Sequence, residues 1–284
     1  MEIGIFERTF ARPTLGETLD AVRAHGLGAV QFDLASAGLP SMPDRIAPEA
    51  AAGIRAEMEA RGIVMAAVSG TFNIIHPDEA VRRDGMRRLR ALATACPALG
   101  TGIITLSTGT RDAENMWRHH PDNASEEAWS DCVQAMAEIA EIGEEFSVTM
   151  AFEPEVNNVV DSARKARLLL DTLGSPWVKV VIDGANIFHA GEIPRMAEIL
   201  DEAFSLLGVD IALAHAKDLD HDGDAGNRPA GHGLLDYDRY LRLLNRAGYT
   251  GPLILHGLSE PEVDGCVDFL RSKLAVLPQP GRRE

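Results

Sequence analysis

Short apolar segments alternate with longer amphipathic ones along nearly the whole chain of 284 residues, and this alternation restricts the fold more than any other feature. The apolar segments are rich in β-branched residues and have the length of buried strands. The predicted strands are Ile3–Phe6, Ala29–Phe32, Ile63–Val68, Ile103–Leu106, Val148–Phe152, Val178–Ile182, Ile211–Ala214 and Leu253–Leu255. Helical periodicity predicts helices over 15–24, 50–60, 79–95, 127–145, 162–173, 194–204, 237–246 and 263–274.

Eight strands that alternate with eight helices predict an α/β fold, a (β/α)8 TIM barrel in a single domain. A strand, a helix and a second strand pair in parallel through a right-handed crossover, and eight such units close on themselves. An open doubly wound sheet is the alternative, but that fold usually places a glycine-rich turn after its first strand. Here the turn reads Glu7-Arg8-Thr9-Phe10. We assign residues 1–276 to the barrel and predict a disordered tail over 277–284.

Charge and cysteine content narrow the class of partner. A formal net charge of −16 repels polyanions, so neither nucleic acid nor an anionic membrane surface is an expected partner. Apolar runs in the sequence stay shorter than the roughly 18 residues of a membrane-spanning helix, and the acidic N-terminus is too short for a signal peptide. Three widely separated cysteines fit reduced thiols in the cytoplasm, where we expect the protein to reside. The sequence leaves homo-oligomerisation open.

Four potential metal ligands follow four consecutive predicted strands. Glu153, Asp183, His215 and His256 each stand directly after an apolar strand, at intervals of 30, 32 and 41 residues. The C-terminal strand ends of a (β/α)8 barrel form its active site, so these side chains are expected to share one space. Two carboxylates and two imidazoles can hold one divalent metal ion. Because imidazole nitrogen is a softer donor than oxygen, we expect manganese, cobalt, zinc or iron rather than magnesium.

Each of these residues also has a structural interpretation. Glu153 could cap the helix that follows it, although a carboxylate at the end of an apolar strand is costly to bury without a partner. Asp183 could start a turn before Gly184. His215 could be a hydrogen-bonded core histidine, and His256 could contact substrate at the rim instead of a metal.

Motifs around these residues carry a resemblance to a known family. They are Phe152-Glu-Pro-Glu155, Val181-Ile-Asp183, His215-Ala-Lys-Asp218 and Pro252-Leu-Ile-Leu-His-Gly-Leu-Ser-Glu260. In kind and order they resemble the sugar phosphate isomerase/epimerase family of the xylose isomerase-like TIM barrel superfamily, which includes ketose 3-epimerases and inosose dehydratases. The resemblance implies a divalent metal held by Glu153, Asp183 and His215, and a small-molecule carbohydrate as substrate.

Two residues depart from the pattern of that family. His256 stands where the family has its fourth metal ligand, a glutamate, and Asn186 stands where ketose epimerases commonly have a histidine. Arg228 matches an arginine that contacts the sugar in those epimerases. Two further polar residues, Glu155 and Lys217, lie inside the motifs. The residues expected to bind substrate are therefore Glu155, Asn186, Lys217 and Arg228.

His76 and Trp117 are further candidates for substrate binding, after the third and fourth predicted strands. His76 could contact substrate or a second metal, or it could cap the helix that starts near Pro77. Trp117 belongs to a long segment that could form a lid. There it would either shape the sugar pocket or pack the segment itself.

The ligand set also predicts the type of reaction. Epimerases of the family use two metal-bound glutamates on opposite faces of the substrate, whereas this chain has only Glu153 at the matching strands. We assign Glu153 and His256 to the catalytic centre, with Glu153 as the proton carrier. A metal-bound histidine cannot also serve as base, so a single base favours an isomerase that moves a proton through a metal-stabilised enediolate. A ketose epimerase or an inosose-type dehydratase is the first alternative. A non-catalytic sugar-binding barrel is the second alternative.

Overall fold

The fold is a closed barrel of eight parallel strands surrounded by eight helices, as predicted. It was obtained as a computed structural model, which describes residues 1–277. The strands of the barrel are β1 (Ile3–Phe6), β2 (Ala29–Phe32), β3 (Val64–Ser69), β4 (Ile103–Ser107), β5 (Thr149–Glu153), β6 (Val178–Asp183), β7 (Ile211–Asp218) and β9 (Leu253–Leu255). Neighbours in the chain pair in parallel, and β9 closes the barrel between β7 and β1.

The helices form the outer layer, and several of them begin at local capping signals. They are α1 (Leu15–Ala24), α2 (Pro48–Glu59), α3 (Glu79–Leu99), α4 (Glu126–Phe146), α5 (Ala163–Leu173), α6 (Met196–Leu207), α7 (Tyr237–Arg246) and α8 (Val263–Ala275). Thr14 and Glu17 form a capping box at the start of α1. Ser125 and Asp236 cap α4 and α7 through hydrogen bonds from backbone N–H groups.

Predicted element ends lie within three residues of the observed ones except at α3 and β7, each of which ends four residues later than predicted. The prediction ended this strand at Ala214, whereas it continues to Asp218. The extension carries His215, Lys217 and Asp218, which an apolar pattern does not include. It is stabilised by β8 (Arg228–Pro229), a two-residue strand outside the barrel that pairs antiparallel with the end of β7.

The core has an inner and an outer part. Inside the barrel, a small cluster below the C-terminal strand ends contains Ala67, Ala151, Val181, Leu213 and Ile254. The larger cluster fills the space between the strands and the helices. Gly4 is required by this packing, since a Cβ there would lie 2.7 Å from both the Ala29 carbonyl oxygen and Ile254 Cδ1.

The predicted disordered tail falls largely on residues 278–284, which lie outside the described residues. The division of the chain into one domain and a tail therefore stays a prediction. Among the described residues, no helix is both long and apolar enough to cross a membrane.

Tyr240 ties two adjacent strand ends together, and its hydroxyl supplies a test of the fold. The side chain is fully buried on α7, and its hydroxyl donates toward the carbonyl oxygens of His215 at 2.9 Å and Ile182 at 3.1 Å. We expect Tyr240→Phe to lower the free energy of unfolding by about 1–3 kcal/mol, because buried carbonyl groups lose a donor. Urea denaturation measures this change. An unchanged midpoint would contradict the role given to the hydroxyl.

Candidate metal centre and its pocket

Glu153, Asp183, His215 and His256 meet at the C-terminal mouth of the barrel. Glu153 and Asp183 are the last residues of β5 and β6, His215 lies within β7, and His256 follows β9. Asp183 and His215 stand opposite each other in the β6–β7 pairing. Neighbouring parallel strands thus bring to one place side chains that are far apart in sequence.

Three buried atoms in this group point to one cation. Within residues 1–277, Asp183 Oδ2, His215 Nδ1 and His256 Nδ1 are buried and have no hydrogen-bond partner. One donor atom from each of the three residues lies within 4.8 Å of the others. A buried polar atom left without a partner costs about 1–3 kcal/mol, so the arrangement fits residues that await a shared ligand. We call Asp183 Oδ2, His215 Nδ1 and His256 Nδ1 the three convergent atoms.

Glu153 stands at the side of this group. Its Oε1 lies 3.6 Å from His215 Nδ1 and accepts a hydrogen bond of 2.6 Å from the Asn186 amide. Asn186 is fully buried and is held in turn by the Gly226 N–H, which donates to its Oδ1 at 2.8 Å. The amide therefore orients the carboxylate that the sequence marks as the proton carrier.

Gln31 determines which nitrogen of His215 faces the group. His215 Nε2 lies 2.8 Å from Gln31 Oε1, while Gln31 Nε2 donates to Thr105 Oγ1 at 3.4 Å. An amide oxygen can only accept, so Nε2 carries the hydrogen and Nδ1 is left for coordination. Burial opposes protonation of His215, but Glu153 and Asp183 outweigh it and raise the pKa to about 9. A metal that binds at Nδ1 near neutral pH must therefore displace a proton.

His256 is a neutral imidazole in this setting. Burial lowers its pKa to about 3, and the nearby cations Lys217 and His215 act in the same direction. Its ring stacks between two others, with centroids 5.4 Å from Phe6 and 5.1 Å from His215. The stacking fixes the ring plane, and the low pKa keeps a lone pair available at ordinary pH.

Lys217 and Glu155 complete the charge distribution. Lys217 Nζ lies 3.4 Å from Asp183 Oδ2. Despite complete burial, Lys217 and His215 hold the pKa of Asp183 well below its ordinary value. Glu155 is buried two residues beyond Glu153, and burial together with the Glu153 charge raises its pKa to about 8. The centre thus combines an ionised carboxylate at Asp183 with a carboxyl group that is largely protonated at neutral pH.

A cavity of about 470 Å³ opens above these residues. Its wall includes most of the residues predicted to bind substrate, namely Glu155, Asn186, Lys217 and Trp117, together with Glu153, His215 and His256. The Asn157 amide donates to the Trp117 carbonyl oxygen at 3.3 Å and also to the Asp224 carboxylate. Through these bonds the segment after β4 and the loop after β7 form one wall above the metal centre.

Two predicted substrate residues lie elsewhere. The Asp78 N–H donates to His76 Nδ1 at 3.0 Å, and His76 Nε2 lies 3.1 Å from the Ala113 carbonyl oxygen, so this side chain organises the start of α3. Arg228 is half exposed, and its Nε donates to Asp220 Oδ2 at 2.7 Å. It lines a second cavity next to the first.

Several residues of the site were missed from the sequence. Gln31, Phe6 and Asp224 all line the cavity. Gln31 could have been noticed, because it is a polar residue inside the otherwise apolar strand Ala-Val-Gln-Phe. Asp218, the last residue of the His-Ala-Lys-Asp motif, organises the following loop. Its carboxylate accepts hydrogen bonds from the N–H groups of Leu219, Gly231, Gly233 and Leu235.

Comparison with known proteins assigns the family of this barrel. The chain matches the family model "Xylose isomerase-like TIM barrel" over residues 19–272, and it belongs to this family. A curated relative is L-ribulose-5-phosphate 3-epimerase UlaE of Shigella flexneri serotype 5b (strain 8401), 24% identical over 201 residues. The match covers 71% of this chain and 66% of the relative, so the chain spans about two thirds of that protein.

Solved structures share the fold over almost the whole chain. The crystal structure of a D-tagatose 3-epimerase-like protein superposes with a TM-score of 0.76 at 14% identity, covering 98% of both chains. The IOLI protein, crystallised with a zinc atom, superposes with a TM-score of 0.72 at 17% identity, covering 97% of both chains. At these identities the likeness establishes the barrel fold.

The Gln31–His215 contact gives a prediction for metal affinity. Gln31→Leu removes the oxygen that accepts from His215 Nε2, so neither the tautomer nor the orientation of the His215 ring is fixed any longer. We expect the affinity for Mn²⁺ or Zn²⁺ to fall about 10- to 100-fold, as is usual when the partner of a ligating histidine is lost. Titration calorimetry on the folded variant measures the change. Gln31→Glu keeps an acceptor oxygen and serves as the matched control, and wild-type affinity in Gln31→Leu would contradict the assignment.

Proposed function

We propose that the protein is a metal-dependent isomerase of a small sugar or a sugar-like keto substrate. The observation that carries the proposal is the position of Glu153. Its carboxylate is oriented by Asn186, and its Oε1 lies 3.6 Å from His215 Nδ1. Family membership supports a carbohydrate substrate, and the curated relative acts on a ketose phosphate by its name. The 470 Å³ cavity is within the size range of small-molecule sites, about 300–1,000 Å³.

The residues that would hold the metal are Glu153, Asp183, His215 and His256. Two imidazole nitrogens in this set favour manganese, cobalt, zinc or iron over magnesium. A divalent cation bound here supplies a Lewis acid beside a substrate carbonyl, which makes the neighbouring C–H group more acidic. The three convergent atoms are buried without a hydrogen-bond partner, and one ligand atom from each of their residues lies within 4.8 Å of the others, which supports such an ion.

The protein's own groups supply proton transfer and orientation. Glu153, ionised and held by the Asn186 amide, accepts the proton from the hydroxyl-bearing carbon next to the carbonyl and returns it to the former carbonyl carbon. The proton of that hydroxyl group passes to the former carbonyl oxygen, so the carbonyl moves by one carbon and the atoms balance. Although burial opposes ionisation, the positive charge of His215 in the metal-free protein keeps the pKa of Glu153 below its ordinary value. A bound cation would replace that charge once it displaces the His215 proton. Lys217 and Glu155 lie on the same wall and are placed to hydrogen-bond substrate hydroxyl groups. Trp117 forms part of the rim.

A ketose epimerase is the second candidate. Inversion at one carbon needs a second proton carrier, and Glu155 puts a second carboxyl group on the wall of the cavity. The curated relative is named as a 3-epimerase, which supports this candidate independently. Product analysis separates the two reactions, since an isomerase moves the carbonyl group along the chain and an epimerase leaves it in place.

Replacement of the Glu153 carboxylate by an amide tests its role as the proton carrier. We expect Glu153→Gln to reduce proton–deuterium exchange on the substrate by at least about 100-fold, because the amide cannot accept a proton. Most of the metal content should be retained, since three of the four ligand residues are untouched and the amide oxygen can still coordinate weakly. The measurement uses metal-loaded protein and a panel of ketopentoses and ketohexoses in D₂O, followed by NMR.

Glu155→Gln is the matched control, with the same chemical change on the same wall. Retained exchange in this variant supports the isomerase, and loss of inversion alone supports the epimerase. Wild-type rates in Glu153→Gln would remove Glu153 as base. No exchange by the wild type on the whole panel would favour the sugar-binding barrel without catalysis.

A further inference from the structure

A second cavity adjoins the metal pocket and shares part of its wall. It has a volume of about 540 Å³, and Phe6, Arg8 and His256 line both cavities. We call it the side groove; its other main residues are Asn227, Arg228, Pro229, Leu258 and Glu262. The two cavities therefore share a boundary formed by Phe6, Arg8 and His256.

The lining of the side groove combines apolar and polar groups. Phe6, Pro229 and Leu258 offer apolar surface, and Asn227 offers an amide group for hydrogen bonds. The Glu262 carboxylate also lines the groove, with its Oε2 accepting hydrogen bonds from the Ser259 N–H and hydroxyl. A sugar ring presents C–H groups on its faces and hydroxyl groups at its edge, each able to donate and to accept. The groove thus matches a polyhydroxyl unit better than it matches a purely apolar group.

The charges of the groove are already balanced by the protein. Arg8 Nη1 lies 3.0 Å from Asp33 Oδ2, and Arg228 Nε lies 2.7 Å from Asp220 Oδ2. Glu262 adds a further carboxylate. A phosphate group would have to compete with Asp33 and Asp220 for these guanidinium groups, in a protein whose net charge is −16. An uncharged group meets no such competition.

We propose that the side groove is a second sugar subsite, which binds an uncharged sugar unit linked to the keto sugar at the metal centre. This inference rests on the proposed function and narrows its substrate class to glycosides of a keto sugar. It differs from the substrate of the named curated relative, which carries a phosphate group. His256 and Phe6, stacked at 5.4 Å, form the boundary between the two subsites.

Binding of matched ligands tests the subsite directly. The probes are D-fructose, its 1- and 6-phosphates, and the fructose-ended disaccharides turanose, lactulose and isomaltulose, which carry the second sugar on different hydroxyl groups. Calorimetry with the Mn²⁺-loaded full chain should show at least one disaccharide binding about tenfold or more tighter than fructose, a difference of about 1.4 kcal/mol. Neither phosphate should gain affinity over fructose.

An exposed residue of the groove provides the variant. Asn227→Trp fills the side groove, so the disaccharide should no longer bind more tightly than fructose, while the affinity for fructose stays the same. Leu234→Trp introduces the same side chain at a position that is 54% exposed and lines neither cavity, and the gain should survive. A gain that persists in folded Asn227→Trp would overturn the location.

The outcomes separate this inference from the proposed function. Equal binding of fructose and all disaccharides, or tighter binding of a phosphate, overturns the neutral subsite whether or not exchange is seen. Exchange on fructose without any disaccharide gain overturns the subsite alone. A disaccharide gain without exchange on any keto sugar overturns the proposed function alone. Absence of binding by every probe overturns the subsite, and together with absence of exchange on the whole keto-sugar panel it overturns both.

Discussion

The convergence of Asp183, His215 and His256 is the constraint on which the rest of the site depends. Each has a buried nitrogen or oxygen atom without a hydrogen-bond partner, and one ligand atom from each residue lies within 4.8 Å of the others. Lys217 offsets part of the Asp183 charge, yet its Nζ remains 3.4 Å away. Such an arrangement is stable only inside a rigid frame, which the closed barrel supplies by fixing the strand ends on which these residues stand.

Residues outside this group hold it in place. Gln31 on β2 reaches across the barrel to His215, Asn186 orients Glu153, and Phe6 stacks on His256. Asp218 gathers four backbone N–H groups and so shapes the loop that carries Arg228 to the side groove. Each contact joins a strand end to a distant part of the chain. The metal centre, the cavity above it and the side groove are therefore parts of one connected structure.

The barrel and the positions of the four ligand candidates were predictable because strand periodicity and strand-end chemistry are local. A single polar residue after an apolar strand marks the mouth of the barrel, as with Glu153. Contacts between distant strands leave no such pattern. The bond from Gln31 to His215 spans 184 residues, and the pairing of Arg228 with Asp220 depends on a loop that β8 and Asp218 shape. Strand β8 was not predicted from the sequence, because two residues are too few to show periodicity.

A crystal structure of the metal-loaded protein tests the central claim most directly. Crystals soaked in Mn²⁺ or Zn²⁺ should show one ion between Asp183 Oδ2 and the Nδ1 atoms of His215 and His256, about 2.0–2.3 Å from each donor. Gln31 Oε1 should remain bonded to His215 Nε2. Anomalous scattering identifies the ion and its position. Coordination through Nε2 of His215, or an ion bound away from these three atoms, would contradict the account.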